Sequence, residues 1–295
     1  MDAISVTVRR GVTVESVHRV HAVAVQDGAV VLAAGDPGLV TFMRSAAKPL
    51  QALPLVRARD DLDTTEVAIA SASHLARPDQ LAAVRNLLAR AGATEDDLEC
   101  GPAGSPLGRI AHNCSGKHAG MLAFCAARGW QRRCYRLPEH PAQRAMLHEV
   151  AAAAELSPED IRTGVDGCGV VAFALPLERM AAAFVRLRAL VGGGEVAEAM
   201  QAHPELIRGP GAPDTRLLQA PGDWVAKGGA EGVLCAASGD GLGLALKTED
   251  GSARALEPAL GAFLVALGRP VAEFGPTPVR NSRDQTVGEV AAAPL

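Results

Sequence analysis

Two blocks of alternating sequence stand at opposite ends of this chain with helical sequence between them, and that arrangement limits the folds open to it. In the first forty residues Val6 and Val8, then Val12 and Val14, then Val20, Ala22, Val23 and Val25 fall between turn residues such as Gly11 and the pair Asp27-Gly28. Asp-Gly between apolar runs is a two-residue hairpin turn, because both positions must adopt positive φ. Three or four antiparallel strands are expected here, ending near Leu32 to Ala34. Short apolar runs separated by glycines return at Trp224 to Ala226, Val233 to Ala236 and Leu242 to Leu246. Strands at both ends can bury their faces together only if the ends meet in one sheet. The expected class is therefore α/β of the α+β type. It has a mixed, mainly antiparallel sheet flanked by helices, in a single catalytic domain over residues 1–295.

The middle reads as helix. Arg44 to Arg59 has helical composition, with Ser45 as a candidate N-cap and with Pro49 and Pro54 as kinking or shortening residues. Val67 to Ala70 reads as a short buried strand. Pro78 to Ala91 carries Leu81, Val84, Leu87 and Leu88 at helical spacing before Gly92. Further helices are expected at Lys117 to Arg128, Pro141 to about Glu155, Leu175 to Val191, Glu195 to Ala202 and Leu256 to Leu267. Arg208 to Pro213 reads as a surface loop suited to a lid.

Composition narrows the function. Aromatic residues make up 3% of the chain, so it offers no stacking platform for nucleic acid, and the interior must be filled by Ala, Val and Leu. The net charge of −4, with both signs interspersed, leaves no basic stripe for nucleic acid or an anionic membrane. No stretch approaches the roughly 20 apolar residues of a spanning helix, and the N-terminal sequence has no export-type apolar region. The six cysteines lack the spacing of a disulfide scaffold. A cytoplasmic protein with reduced thiols is expected.

Five stretches carry chemistry. Ser45-Ala46-Ala47-Lys48 puts a hydroxyl and an amine one helical turn apart, where a desolvated lysine can take the hydroxyl proton. Ser73-His74 offers a second hydroxyl, and Lys227-Gly228-Gly229 a second amine where glycines allow close approach. Ser-x-x-Lys early, a serine turn in the middle and Lys-small-Gly late is the order of penicillin-recognising serine enzymes. His112-Asn113-Cys114-Ser115-Gly116-Lys117-His118 gathers polar and thiol groups just before an apolar helix, a position suited to a carboxylate ligand. Asp166-Gly167-Cys168-Gly169 adds a carboxylate and a thiol in a flexible turn.

Together with Arg44-Ser45-Ala46-Ala47-Lys48-Pro49, Ala72-Ser73-His74, Glu15-Ser16-Val17-His18-Arg19 and Gly229-Ala230-Glu231-Gly232, these blocks resemble the rhizobial-type asparaginase II family. They run in order over nearly the whole chain. The resemblance implies a serine β-lactamase-like fold, a homodimer and hydrolysis of L-asparagine to L-aspartate and ammonia. By motif position it implies Ser45 as nucleophile with Lys48 as its base, and Ser73 and Lys227 as a second pair. It implies a zinc ion, auxiliary to the chemistry, on Cys114, Lys117 and Cys168. Arg44, His74, Asn113, Asp166 and His118 are the substrate contacts, with Arg44 for the α-carboxylate and Asp166 for the α-ammonium. The chain departs from many relatives at Leu75-Ala76-Arg77, at Cys100-Gly101-Pro102-Ala103 and in a short Arg188 to Asp214 region. Two other readings compete: a zinc- or thiol-binding protein without enzymatic activity, and another serine amidohydrolase of the β-lactamase-like class.

Overall fold

The computed structural model describes every residue except Pro106. Its chain forms two compact units. One comprises Met1–Thr41, Pro176–Val185 and Ala220–Leu295, and the other comprises Phe42–Leu175 and Arg186–Gln219.

The first unit is built on a sheet. Strands β1 (Ile4–Arg10), β2 (Thr13–Gln26) and β3 (Ala29–Ala34) follow the N-terminal alternation, and β4 (Val40–Phe42) leads out of the unit. In β1 Ile4, Val6 and Val8 are buried while their neighbours are not, the period-two pattern of a one-sided strand. The Asp27-Gly28 turn closes the β2–β3 hairpin, with φ of 52° and 78° at its two residues. The two ends of the chain do meet: β2 pairs antiparallel with β9 (Gly243–Thr248), Ala22 facing Leu246. β7 (Val225–Gly229) and β8 (Val233–Ala237) extend that side. On the other side β1 pairs with β11 (Thr286–Ala292), which pairs with β10 (Thr277–Arg280). These last two strands carry too little alternation to have been expected. Helices α6 (Leu177–Leu187) and α10 (Leu256–Ala266) belong to this sheet. A Cβ on Gly243 would lie 2.5 Å from the Ala181 carbonyl, so glycine is what lets α6 approach β9.

The second unit is mainly helical. It holds α1 (Lys48–Ala58), α2 (Thr64–Ala70), α3 (Pro78–Arg90), α4 (Ser115–Arg128), α5 (Pro141–Ala154), α7 (Gly193–Ala202), α8 (Pro204–Ile207) and α9 (Pro213–Gln219). A hairpin of β5 (Arg162–Val165) and β6 (Val171–Pro176) completes it, and Asp166 to Gly169 form its turn. Three expectations need correction. Val67 to Ala70 is the end of α2, not a strand. A four-residue apolar run has no readable period, and the capping box between Asp63 and Glu66, an arrangement that stabilises a helix by about 1 kcal/mol, settles the helix start. Ser45 does not cap α1: it lies inside a 3₁₀ turn, Arg44–Ala47, that precedes it. Pro49 then sits in the first turn of α1, where its missing N–H costs nothing. The helix expected from Leu175 begins at Leu177, because Val171–Pro176 is strand. Among the described residues no helix is long and apolar enough to cross a membrane.

Candidate active site

The second unit gathers eleven of the twelve residues singled out from the sequence. The chain enters through Met43, whose N–H bonds to Phe173 O at 2.9 Å. Arg44 then adopts φ of 51°, a left-handed conformation that a non-glycine residue takes only when its surroundings hold it there. That kink opens the 3₁₀ turn, and the Lys48 N–H closes it on Ser45 O. Ser45 is 9% exposed and Lys48 is fully buried.

A buried lysine needs acceptors, and Lys48 finds them on two segments. Its Nζ donates to Ala72 O at 2.5 Å and reaches Asn113 O at 3.5 Å, and it lies 3.0 Å from Ser73 Oγ. A neutral amine has two protons and one lone pair. Two carbonyls can take the protons, which leaves the lone pair facing a hydroxyl. Burial pushes the Lys48 amine below its ordinary value, and Lys117 adds to this, against the opposing pull of the Cys114 and Cys168 thiols. The hydroxyl in contact is that of Ser73, and Ser45 Oγ is not among the described partners of Nζ. Ser73 is itself held tightly, its N–H donating to Ile207 O at 2.7 Å.

The Arg208 to Pro213 loop is anchored here. Gln80, wholly buried, accepts from Leu75 N–H and Arg77 N–H and donates to the carbonyls of Glu205 and Arg208. Arg208 donates in turn to Ser73 O. Sequence reasoning passed over Gln80, since a lone glutamine on a helix carries no local signal.

The amino end of α4 supplies a second cluster. Cys114, Lys117 and His118 lie at i, i+3 and i+4 and share one face. A Cβ on Gly116 would lie 2.2 Å from Ile69 O, so glycine is required for α4 to lie this close to α2. The Cys114 and Cys168 thiols and the Lys117 amine act on one another electrostatically, and Cys168 Sγ lies 3.9 Å from Asp166 Oδ2. Interaction between the two thiols lowers Cys114, against the pull of burial, and raises Cys168, as burial also does. Burial acts to lower Lys117 as it does Lys48. Here, however, the two thiols and Asp166 outweigh it, and the Lys117 ammonium is held above its ordinary value. Lys117 Nζ lies 3.8 Å from Asp166 Oδ2, and Arg44 Nε donates to Asp166 Oδ1 at 2.9 Å. Burial acts to raise the Asp166 carboxyl, but Lys117 and Arg44 hold it below the usual range.

The remaining candidates differ in how free they are. Asn113 is exposed and presents its carbonyl to Lys48. Both ring nitrogens of His74 are engaged: Nδ1 accepts from Ala76 N–H at 3.1 Å, and Nε2 lies 2.8 Å from Ser115 Oγ. Burial first, and Lys48 next, push His74 down to about 4. His118 is fully buried with Nδ1 2.6 Å from the Tyr135 hydroxyl. Lys227 belongs to the first unit. There it is buried on β7, opposite Cys235, with Nζ donating to Gly228 O at 2.6 Å.

The donor set can be tested for a metal. Among the described residues no group of three or more His, Cys, Asp and Glu side chains is placed to hold one. Cys114, Cys168 and Lys117 nevertheless bring two soft sulfur donors and an amine into mutual contact, each at least 96% buried. That chemistry suits zinc, provided Lys117 gives up its proton on binding.

An α/β architecture carrying a buried lysine against a serine hydroxyl defines an amide- or ester-cleaving class of enzyme. The chain belongs to the L-asparaginase II family, whose sequence profile matches residues 6–292, and is an asparaginase-type amidohydrolase. A comparison with curated proteins finds no match. Among solved structures the chain is similar to EstCE1, a hydrolase with promiscuous acyltransferase activity. The identity is 11% and the TM-score 0.40, over 78% of this chain and 88% of that chain.

Proposed function

We propose that the protein hydrolyses L-asparagine to L-aspartate and ammonia with Ser45 as nucleophile and Lys48 as its base. The observation that supports this most is the burial of Lys48 among carbonyls, which lowers its amine one turn from Ser45. Neutral Lys48 takes the hydroxyl proton as Oγ attacks the carboxamide carbon. The tetrahedral adduct collapses, and the lysine ammonium returns that proton to the departing nitrogen, which leaves as ammonia. Water then attacks the aspartyl ester by the same proton path and restores the serine.

The substrate is a zwitterion, and Arg44 and Asp166 match its two charges. Their ion pair would open onto the α-carboxylate and α-ammonium. Ser73 and Lys227 form the second Ser–Lys pair of this reading. Zinc, held by Cys114, Lys117 and Cys168, would supply a fixed positive charge that orients the substrate. The enzyme acts as a homodimer in the cytoplasm.

A second reading exchanges the serines. Ser73 is the hydroxyl that Lys48 touches, at 3.0 Å, so it is the rival nucleophile. Ammonia release from L-asparagine, D-asparagine and L-glutamine, measured on wild type, Ser45→Ala and Ser73→Ala, decides between them. Only L-asparagine should turn over well, and Ser45→Ala should lose that turnover while staying folded. Mass spectrometry of the quenched reaction should find the aspartyl ester on Ser45. An ester on Ser73 with activity retained in Ser45→Ala would reverse the assignment.

A further inference from the structure

The chain contains one tyrosine, and it is wholly buried against the α4 face that carries Cys114 and Lys117. The Tyr135 ring meets His118 edge-on, with centroids 5.5 Å apart. Its hydroxyl accepts the Glu99 N–H at 2.8 Å and lies 2.6 Å from His118 Nδ1. Among the described residues these are its two partners. With no solvent in reach, the phenol proton has a single acceptor, the Nδ1 lone pair. The opposite arrangement, Nδ1–H donating to the phenol, would leave the buried O–H without an acceptor. His118 is thereby fixed as the neutral tautomer that carries its proton on Nε2.

That proton has no acceptor: Nε2 is buried and without a partner among the described residues. Its titratable neighbours are Lys117, Cys114, His112 and Lys48, which places the ring in the site described above. An unpaired buried donor is costly, and a bound acceptor would recover that cost. A protonated Nε2 cannot ligate a metal. It can donate to an oxygen.

We propose that Tyr135 is a positioning residue that sets the His118 tautomer, so that Nε2–H donates to an oxygen of the bound amino-acid amide. This rests on the asparaginase reading above. Burial pushes the phenol well above its ordinary value, so it keeps its proton throughout the working range. The ring contact holds the imidazole plane, and the Glu99 N–H holds the phenol oxygen. The whole relay is therefore set before substrate arrives.

Tyr135→Phe keeps the ring and deletes the relay. It should raise the KM for L-asparagine about tenfold, the value of one hydrogen bond, with a smaller change in kcat. Nitrogen-15 NMR of ligand-free protein should show His118 as the Nε2–H tautomer in wild type and a mixture in Tyr135→Phe. His118→Gln places an amide N–H near the Nε2 position and should retain most binding, while His118→Asn should not. In the His118→Gln background Tyr135→Phe should leave KM nearly unchanged, because an amide has no tautomer to set. A merely structural tyrosine would lower Tm equally in both backgrounds and leave KM alone. An Nδ1–H tautomer in wild type, or an unchanged KM in Tyr135→Phe, overturns the proposal. Absence of ammonia release by wild type would instead overturn the asparaginase reading, and the tautomer measurement, which needs no turnover, separates the two failures.

Discussion

The turn around Lys48 and the amino end of α4 around Lys117 present two buried lysines in one unit, and their neighbours leave them shifted in opposite directions. Both are at most 3% exposed. Lys48 faces Ala72 O, Asn113 O and Ser73 Oγ, groups that solvate a proton poorly when no full negative charge is near, and its amine is lowered. Lys117 faces two thiols and the Asp166 carboxylate, and its ammonium is held. The difference shows that burial alone does not fix the charge of a lysine. The neighbours decide, and in a pocket of low dielectric they decide strongly. One lysine is thereby suited to accept a proton. The other is suited to balance anions or, once deprotonated, to ligate a cation.

The sharpest way to break this contrast is to remove each amine in turn. Lys48→Met should lower turnover of L-asparagine about a thousandfold or more, as loss of a positioned base does. Lys117→Met should leave a protein with less bound zinc by elemental analysis and a smaller loss of turnover. Equal losses from the two variants would show that the lysines do not divide the work as their surroundings imply.

Burial, with Lys48 as the second cause, also lowers His74, whose value falls from 6.5 to about 4 in the folded state. The unfolded chain therefore binds a proton on His74 below about pH 6.5, and the folded protein does not until about pH 4. Its stabilising contribution is complete above 6.5 and is lost as the pH falls through that window, to a total of about 3 kcal/mol. Urea unfolding at pH 7 and pH 4.5 should show the loss. His74→Gln, which keeps a donor toward Ser115, should flatten it.

The smallest effect concerns spacing. Gly116→Ala places a methyl against Ile69 O and forces α4 away from α2, at a cost of about 1–3 kcal/mol. A thermal unfolding scan should record the lowered midpoint. Because the same displacement moves Cys114 and Lys117 relative to Lys48, turnover should fall by more than the stability change explains.

Much of this was legible in the residues. The hairpin at Asp27-Gly28, the meeting of the two ends in one sheet, and helices α3, α4 and α5 follow from turn chemistry and period. These are local properties, since neighbours along the chain set them. Helix α2 was misread because its apolar run is short and buried, where strand and helix look alike, and the helix expected from Leu175 took in the last two residues of strand β6. The candidate blocks stand out because unusual residue types crowd together in them. Gln80 and Tyr135 were missed because each stands alone, and each acts on a partner at least seventeen residues away.

By itself the amino-acid sequence determined the family, the class of fold and the candidate site residues, since these depend on residue identity and order. Tertiary structure alone decided which hydroxyl the Lys48 amine touches, that Arg44 and Asp166 pair with each other, and that two buried lysines are shifted in opposite directions. Those outcomes depend on distances between segments remote in the chain, and Coulomb and hydrogen-bond energies are set by such distances.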